Sequence, residues 1–277
     1  MTNQNTLRDR ALAFRVLHVP GRPLVLPNAW DAASARIVED AGASAVATTS
    51  AGLAWALGVA DGDRLDRERA LEAVARITAS VAVPVSADIE SGFAKDPAGV
   101  ADTVRAVLAA GAVGVNIEDA LYGGEGVLRS IAEQAERIAA ARAAADAEGV
   151  PLFVNARIDT FLRGVGGVDA TLERAAAFRA AGADGIFVPG AVEPGTVKEL
   201  ADGIEAPLNV LVGPGVPPVA ELAALGVARV SAGSSIAAAA YAVVRRAARE
   251  LLDTGTYGAQ TGGLGYGELN SLLARGN

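Results

Sequence analysis

The sequence predicts an α/β fold, a (β/α)8 barrel of the TIM type that takes residues 1–277 as one domain. Three observations carry this prediction. Apolar segments of strand length alternate with amphipathic helical segments through eight cycles. An Ala-Gly-Ala triplet recurs at Ala41-Gly42-Ala43, Ala110-Gly111-Ala112 and Ala181-Gly182-Ala183, with Leu225-Gly226-Val227 as a looser copy. Each triplet ends a helix and precedes a strand, where glycine suits the left-handed residue that terminates the helix. Finally, three apolar strands end in charge: Val83–Ala87 before Asp88 and Glu90, Gly114–Ile117 before Glu118 and Asp119, and Leu152–Ala156 before Arg157. Charges of both signs at the ends of parallel strands describe one site at one end of a barrel. No G-x-G-x-x-G follows the first strand, which disfavours an open nucleotide-binding sheet.

In chain order, residues 6–18 form a leading helix. Leu24–Leu26 is the first strand, followed by a loop at Asn28-Ala29-Trp30-Asp31, with Asp31 or Ser34 capping a helix to about Ala41. Ala45–Thr48 is the second strand, and a long loop runs from Thr49 through Asp63. Asp66–Ser80 is an amphipathic helix with Leu71, Val74 and Ile77 on one side. Along an extended strand Asp88 and Glu90, two residues apart, point to the same side. Asp96-Pro97 opens a helix to Ala110, with proline in a tolerated first-turn position. Residues 120–129 carry Gly123, Gly124 and Gly126 and are expected to be mobile; a long Ala-rich helix follows over about 130–148. Beyond Arg157 come a helix over about 168–181, a strand at Gly185–Val188, strands at Leu208–Val212 and Arg229–Ser231, a helix over about 235–252 and a short helix at Gly267–Ala274.

Composition narrows the function. The net charge of −8 argues against a general nucleic-acid or anionic-membrane surface, while a local arginine or metal can still receive an anionic substrate. The absence of cysteine removes disulfides, thiolate metal sites and cysteine nucleophiles. The polar N-terminus has no apolar export segment and every apolar run is interrupted, so a cytoplasmic protein is expected.

The candidate site residues are Asp61, Asp88, Glu90, Glu118 and Arg157, all at or just beyond strand ends. Two carboxylates at the mouth of a strand repel each other, and a metal, a shared proton or a cationic ligand offsets that cost. With one histidine and no cysteine, the hard oxygen donors suit Mg2+ or Mn2+ better than Zn2+. Mg2+ takes one or two direct carboxylates, leaving the other acids to act through water. Arg157 can fork onto a substrate carboxylate, and an ion pair with Glu118 or Asp159 is compatible with that role. Backbone N–H groups at Thr49-Ser50-Ala51 can face a developing oxyanion. Trp30 and Trp55 either wall the pocket or pack elsewhere, with Trp30 assigned to the substrate wall. Gly213-Pro214-Gly215 and Gly233-Ser234-Ser235 follow strands seven and eight, where many barrels bind phosphate; tight turns plus an N-cap explain them better. His18, far from the acids, is read as a solvated or capping residue.

At these motifs the chain resembles the isocitrate lyase/phosphoenolpyruvate mutase superfamily over roughly Pro23 to Leu252. The matching segments are Asn28–Arg36, Thr49–Gly52 with Leu57–Asp61, Pro84–Phe93, Asn116–Asp119 and Asn155–Asp159. The resemblance implies a modified barrel, often tetrameric with the last helix exchanged between subunits, and Mg2+ holding a 2-oxo or 2-hydroxy carboxylate through an enolate. It casts Asp88 as the main metal ligand, with Asp61, Glu90 and Glu118 on metal-bound water. Arg157 holds the substrate carboxylate and the Thr49-Ser50-Ala51 backbone steadies the enolate oxygen. Glu90 stands where the superfamily usually has aspartate. The Lys-Lys-Cys-Gly-His-type loop of the lyases is replaced by Leu121-Tyr122-Gly123-Gly124-Glu125-Gly126. Ala120 follows Glu118-Asp119, where the phosphonomutases have an EDK start, and the asparagine of their loop is also missing. Tyr122, Glu125 and Arg129 are the loop's acid–base candidates, with Glu125 assigned to catalysis. The function expected is a Mg2+-dependent carbon–carbon lyase, with decarboxylation of an oxaloacetate-like acid making the least demand on a loop acid. P–C bond chemistry and a non-catalytic metal and carboxylate binder are the alternatives.

Overall fold

The structure is a computed structural model that describes residues 2–122 and 127–274. The strands are β1 (Leu24–Leu26), β2 (Asn28–Ala29), β3 (Val46–Thr48), β4 (Val85–Asp88), β5 (Gly114–Glu118), β6 (Phe153–Arg157), β7 (Gly185–Val188), β8 (Leu208–Leu211) and β9 (Arg229–Ser231). The helices are α1 (Thr2–Arg15), α2 (Ala32–Asp40), α3 (Ser50–Ala56), α4 (Arg67–Ser80), α5 (Pro97–Ala109), α6 (Ile131–Ala147), α7 (Gly167–Ala180), α8 (Pro194–Gly203), α9 (Val219–Ala224), α10 (Ser235–Thr254) and α11 (Tyr266–Ala274).

The strands form one parallel sheet in the order β1-β9-β8-β7-β6-β5-β4-β3-β2. β1 and β2 are one barrel strand broken at Pro27, which has no N–H to give a ladder. Its first half pairs with β9 and its second with β3, bringing the sheet round on itself as a (β/α)8 barrel. The helix-ending glycines behave as the repeat predicts: Gly42, Gly111, Gly182 and Gly226 have φ of 96°, 91°, 105° and 97°.

Three local expectations give way. Asn28-Ala29 is a strand, because the Asn28 side chain ties it to both neighbours, donating to Thr48 O at 2.8 Å and accepting from Gly233 N at 2.8 Å. Ser50–Ala56 is a helix rather than a loop; its Leu53 and Ala54 are buried, while a Cβ on Gly52 would lie 2.8 Å from Trp30 Cβ. α8 and α9 complete units that the sequence reading leaves as connections.

The N-terminal end of the barrel is plugged by α1. Phe14 lies so close beneath β5 that a Cβ on Gly114 would meet its ring at 2.7 Å. His18 is buried rather than solvated: its ring stacks on Phe153 with centroids 3.8 Å apart, and its Nδ1 bonds Phe14 O at 3.0 Å. Asp184 accepts from Arg15 at 2.7 Å, from Val154 N at 2.8 Å and from Arg142. None of the described helices is long and apolar enough to cross a membrane.

Candidate active site at the barrel mouth

At the C-terminal end of the strands lies a cavity of ≈ 460 Å³, bordered by Asn28, Asp61, Asp88, Asn116, Arg157 and the Thr49-Ser50-Ala51 turn. Asp88 closes β4. Its N–H donates to Thr48 Oγ1 at 2.9 Å and its Oδ2 accepts from Ser50 N at 3.2 Å. Its Oδ1 is buried and has no hydrogen-bond partner among the described residues.

Glu90 does not share a strand face with Asp88, because β4 ends at Asp88 and the chain turns. Gly92 N bonds Ile89 O at 2.7 Å, and Glu90 takes a left-handed φ of 49°. Strand alternation therefore stops applying one residue before Glu90. Its carboxylate turns to Asp63, whose N–H donates to Oε2, and Oε1 is left buried and unpartnered. Burial pushes this carboxyl up to about 8; the Asp63 N–H opposes, and Asp88, Asp63 and Asp61 add repulsion.

Glu118 and Arg157 face each other across β5 and β6 in direct register. Glu118 Oε2 meets Arg157 Nη1 at 2.6 Å. On the other side Asp159 grips Arg157 bidentately, Nε–Oδ1 at 2.6 Å and Nη2–Oδ2 at 2.9 Å. Three of the five guanidinium N–H groups are thus held from behind, leaving one on each terminal nitrogen for a ligand. Burial raises the Glu118 carboxyl above the usual range while Arg157 opposes it, and Oε1 is unpartnered. Asp61 stands exposed at the cavity edge, its carboxyl pushed up by partial desolvation and then by Asp88.

These features fit a divalent cation. Among the described residues, Asp88, Glu90 and Glu118 each hold one buried oxygen with no donor, and repulsion of Asp88 on Glu90, Glu118 and Asp61 is the deficit that a cation removes. No three acidic groups among the described residues stand close enough to form a direct cage. The donor set therefore suits a hydrated Mg2+ or Mn2+ on Asp88, with Asp61, Glu90 and Glu118 behind its water.

A sequence model of the family described as phosphoenolpyruvate phosphomutase matches residues 14–252. The chain belongs to this family, within the isocitrate lyase/phosphoenolpyruvate mutase superfamily. An uncharacterized protein of Mycobacterium tuberculosis (strain ATCC 25618 / H37Rv) is 40% identical over 246 residues, covering 87% of this chain and 90% of that one. The 2-methylisocitrate lyase of Escherichia coli (strain K12) is 31% identical over 208 residues, covering 73% and 70%. A phosphonopyruvate hydrolase solved with oxalate and Mg2+ superposes with a TM-score of 0.82 at 27% identity, covering 99% and 96%. The superfamily thus spans lyases, mutases and hydrolases of small carboxylates and phosphonates.

Within this superfamily site, the structure sorts the expected residues. Thr49, Ser50, Ala51, Asp61, Asp88 and Arg157 line the cavity, whereas Glu90 and Glu118 are buried behind its wall at 1% exposure each. Ser50 N is taken by Asp88. Leu53 N to Thr49 O, at 3.0 Å, is the first bond of the α3 ladder, so the Ala51 N–H has no carbonyl within its own helix. Trp30, expected on the substrate wall, is half-buried against Gly52 and does not border the cavity. Trp55 sits edge-on to Tyr241 at 6.3 Å. Glu125 and the three loop glycines lie outside the described residues. Burial, followed by the charge of neighbouring Glu118, pushes the Tyr122 phenol up, and the Arg163 guanidinium lies 5.0 Å over its ring. Tyr122 and Arg129 border a neighbouring cavity with Lys95 and Arg137.

The sequence reading missed the cavity's floor. Asn116 and Ser231 form part of it, and the buried Arg229 reaches both, Nη2 to Asn116 Oδ1 at 3.3 Å and Nε to Ser231 Oγ at 3.3 Å. Burial pulls Arg229 down to about 9, with Asp88 the one opposing charge. The available signal was polar residues within apolar strand runs, Asn116, Asn209, Arg229 and Ser231, whose side chains the barrel turns inward.

Proposed function

We propose that the protein is a Mg2+-dependent lyase acting on a small 2-oxo or 2-hydroxy carboxylate through an enolate. One observation carries this reading: the Arg157 fork, fixed from behind by Glu118 and Asp159, borders the same cavity as Asp88, whose Oδ1 lacks a partner. Arg157 binds and orients the substrate carboxylate through its two remaining N–H groups. Asp88 would hold the metal directly, and Asp61, Glu90 and Glu118 would reach it through water. When bound, Mg2+ supplies Lewis-acid stabilisation of negative charge developing on the substrate oxygens. Ala51 N–H offers a fixed dipole to the same charge. Glu118 and Asp159 hold the guanidinium in place at the cavity, so substrate binding needs no reorganisation of Arg157. Glu125 is kept as the loop's acid–base group, to be tested by Glu125→Gln.

The phosphonopyruvate hydrolase solved with Mg2+ and the 2-methylisocitrate lyase support the metal and the substrate class. An assembly in which α10 lies on a second copy completes the reading. Of the 20 residues of α10 only Ala237 is buried, and Val243, Val244, Leu251 and Leu252 are exposed. Light scattering on the wild type and on Val244→Glu reads the assembly.

The test is proton–deuterium exchange at C3 of pyruvate and 2-oxobutyrate in D2O, followed by NMR with and without Mg2+. Metal-dependent exchange that disappears in Arg157→Ala is the expected result. No exchange with any small 2-oxo acid refutes the enolate reading.

A further inference from the structure

We propose that the protein has a second binding site, apart from the barrel mouth, for a dianion of the phosphate class. This goes beyond the proposed function and does not rest on it. The site is a cavity of ≈ 560 Å³ beside the turn that follows Glu90. Four cations border it: Arg67 at the start of α4, Lys95 in the turn, Arg129, and Arg137 on α6. Asp63 is the one acid on its wall among the described residues. The chain as a whole carries a net charge of −8, so the sign is reversed locally.

The fold fixes two of these cations without neutralising them. Arg137 is buried, and donates through Nη1 to Ser91 O at 3.2 Å and Ala94 O at 3.1 Å, and through Nη2 to Lys95 O at 2.6 Å. These carbonyls satisfy N–H groups but carry no net charge. Its one ion pair among the described residues is with Glu133, 3.8 Å from Nε, and Glu133 already lies 2.8 Å from Arg129 Nη1. One carboxylate is thus shared by two guanidinium groups, and the Nε of each is buried with no hydrogen-bond partner. Burial and then the charge of Arg129 pull Arg137 below the usual arginine range, against Glu133, Asp63 and Asp96. Asp96 is turned to cap α5, accepting from Gly99 N at 2.8 Å. Such a cluster of under-compensated cations is costly, and an anion in the cavity removes that cost.

Charge and direction select the ligand. Arg67 and Lys95 make no ion pair among the described residues, so four cations stand against Asp63 and Glu133 and leave an excess of two. A phosphoryl group carries about −1.5 to −2 at pH 7 and matches that excess, whereas a lone carboxylate leaves half of it. The cations also come from four different segments, which suits oxygens pointing in several directions better than one planar carboxylate. Residues 61–63 keep this cavity apart from the mouth. Asp61 borders the mouth and Asp63 borders this cavity. Gly62 lies between them against the Tyr122 ring, where a Cβ would meet Cδ1 at 2.8 Å. The Asp63 N–H also holds Glu90 Oε2, so the anion site stands back to back with the acid cluster.

The experiment is calorimetric titration of the protein with inorganic phosphate at constant ionic strength, with and without Mg2+. One saturable site with a dissociation constant on the order of 1 mM or tighter is expected, equally in both conditions. Arg67→Gln/Lys95→Gln is expected to weaken it about tenfold or more, and Arg157→Lys to leave it unchanged. Lys95→Glu, a single change at an exposed position, is expected to weaken it as well, with the fold of each variant checked by circular dichroism. Glycerol 3-phosphate titrated alongside identifies the source. Tighter binding than phosphate assigns the site to a phosphate ester and weaker binding to the free ion, and both support the site. No saturable binding overturns the proposal, as does binding that chloride at matched ionic strength displaces. Binding that requires Mg2+, or that is lost in Arg157→Lys and kept in both Lys95 variants, places phosphate at the mouth and overturns it too.

Discussion

The two ends of this barrel treat charge in opposite ways. At the bottom, Asp184 is gripped by Arg15, Arg142 and Val154 N–H, and Phe14 and His18 close the opening with ring contacts. At the mouth, Asp88, Glu90 and Glu118 each keep a buried oxygen without a donor among the described residues. The bottom is arranged for packing and pairing. The mouth keeps carboxyl oxygens unpaired, an arrangement that a bound ligand completes. The contrast predicts that substitutions at the mouth change chemistry and metal binding, and that substitutions at the bottom change stability.

The largest effect is expected for Asp88→Ala. Its turnover, read as C3 exchange, should fall by about a thousandfold or more, Mg2+ affinity by calorimetry should collapse, and the melting temperature should hold or rise. Retained exchange in this variant would break the contrast at its functional end. Phe14→Ala tests the other end. It should lose about 3–5 kcal/mol in urea unfolding, with the exchange rate per folded molecule unchanged. Arg157→Lys lies between, since lysine keeps the charge and loses the fork. We expect KM for a 2-oxo acid to rise about thirtyfold, with kcat less affected.

The smallest effect is pH-dependent and belongs to the bottom. Burial, followed by the charge of Arg229, pushes His18 down to about 3, so the folded protein holds it neutral. The unfolded chain takes up that proton near pH ~6.5. The stability contributed is therefore present above pH ~6.5 and is lost as pH falls toward the folded value, by about 1.4 kcal/mol per pH unit. His18→Phe should flatten the wild-type slope between pH 7 and pH 5 by about 1 kcal/mol per pH unit on average. Equal slopes in the two proteins would remove His18 from the account.

Legibility in the sequence follows the range of the interactions. Asp88, Glu118 and Arg157 could be placed because each terminates an apolar strand, and a barrel puts strand ends together. The double ion pair of Arg157 with Glu118 and Asp159 was foreseeable from neighbouring strand ends. Glu90 was assigned to the acid cluster by the wrong geometry, since a left-handed turn rather than strand alternation brings it near Asp63. Trp30 was placed on the substrate wall because a loop tryptophan after a strand has no periodicity to orient it; packing against Gly52 decides its position. The leading helix hid its role as a plug, because nothing local to His18 reports the Phe153 ring 3.8 Å away.

The sequence by itself determined the alternation of strands and helices, the glycine at each helix end and the charges at strand ends. Those are set by local periodicity, by the steric freedom of glycine at positive φ and by the length of an apolar run. Tertiary structure alone decided which carboxylate oxygens go without donors, that the buried Arg229 feels the charge of Asp88, and that Leu162, Phe187 and Val212 border the same cavity. These depend on parallel register and on loops that touch across the barrel mouth, and no short window of sequence records which residues will meet there.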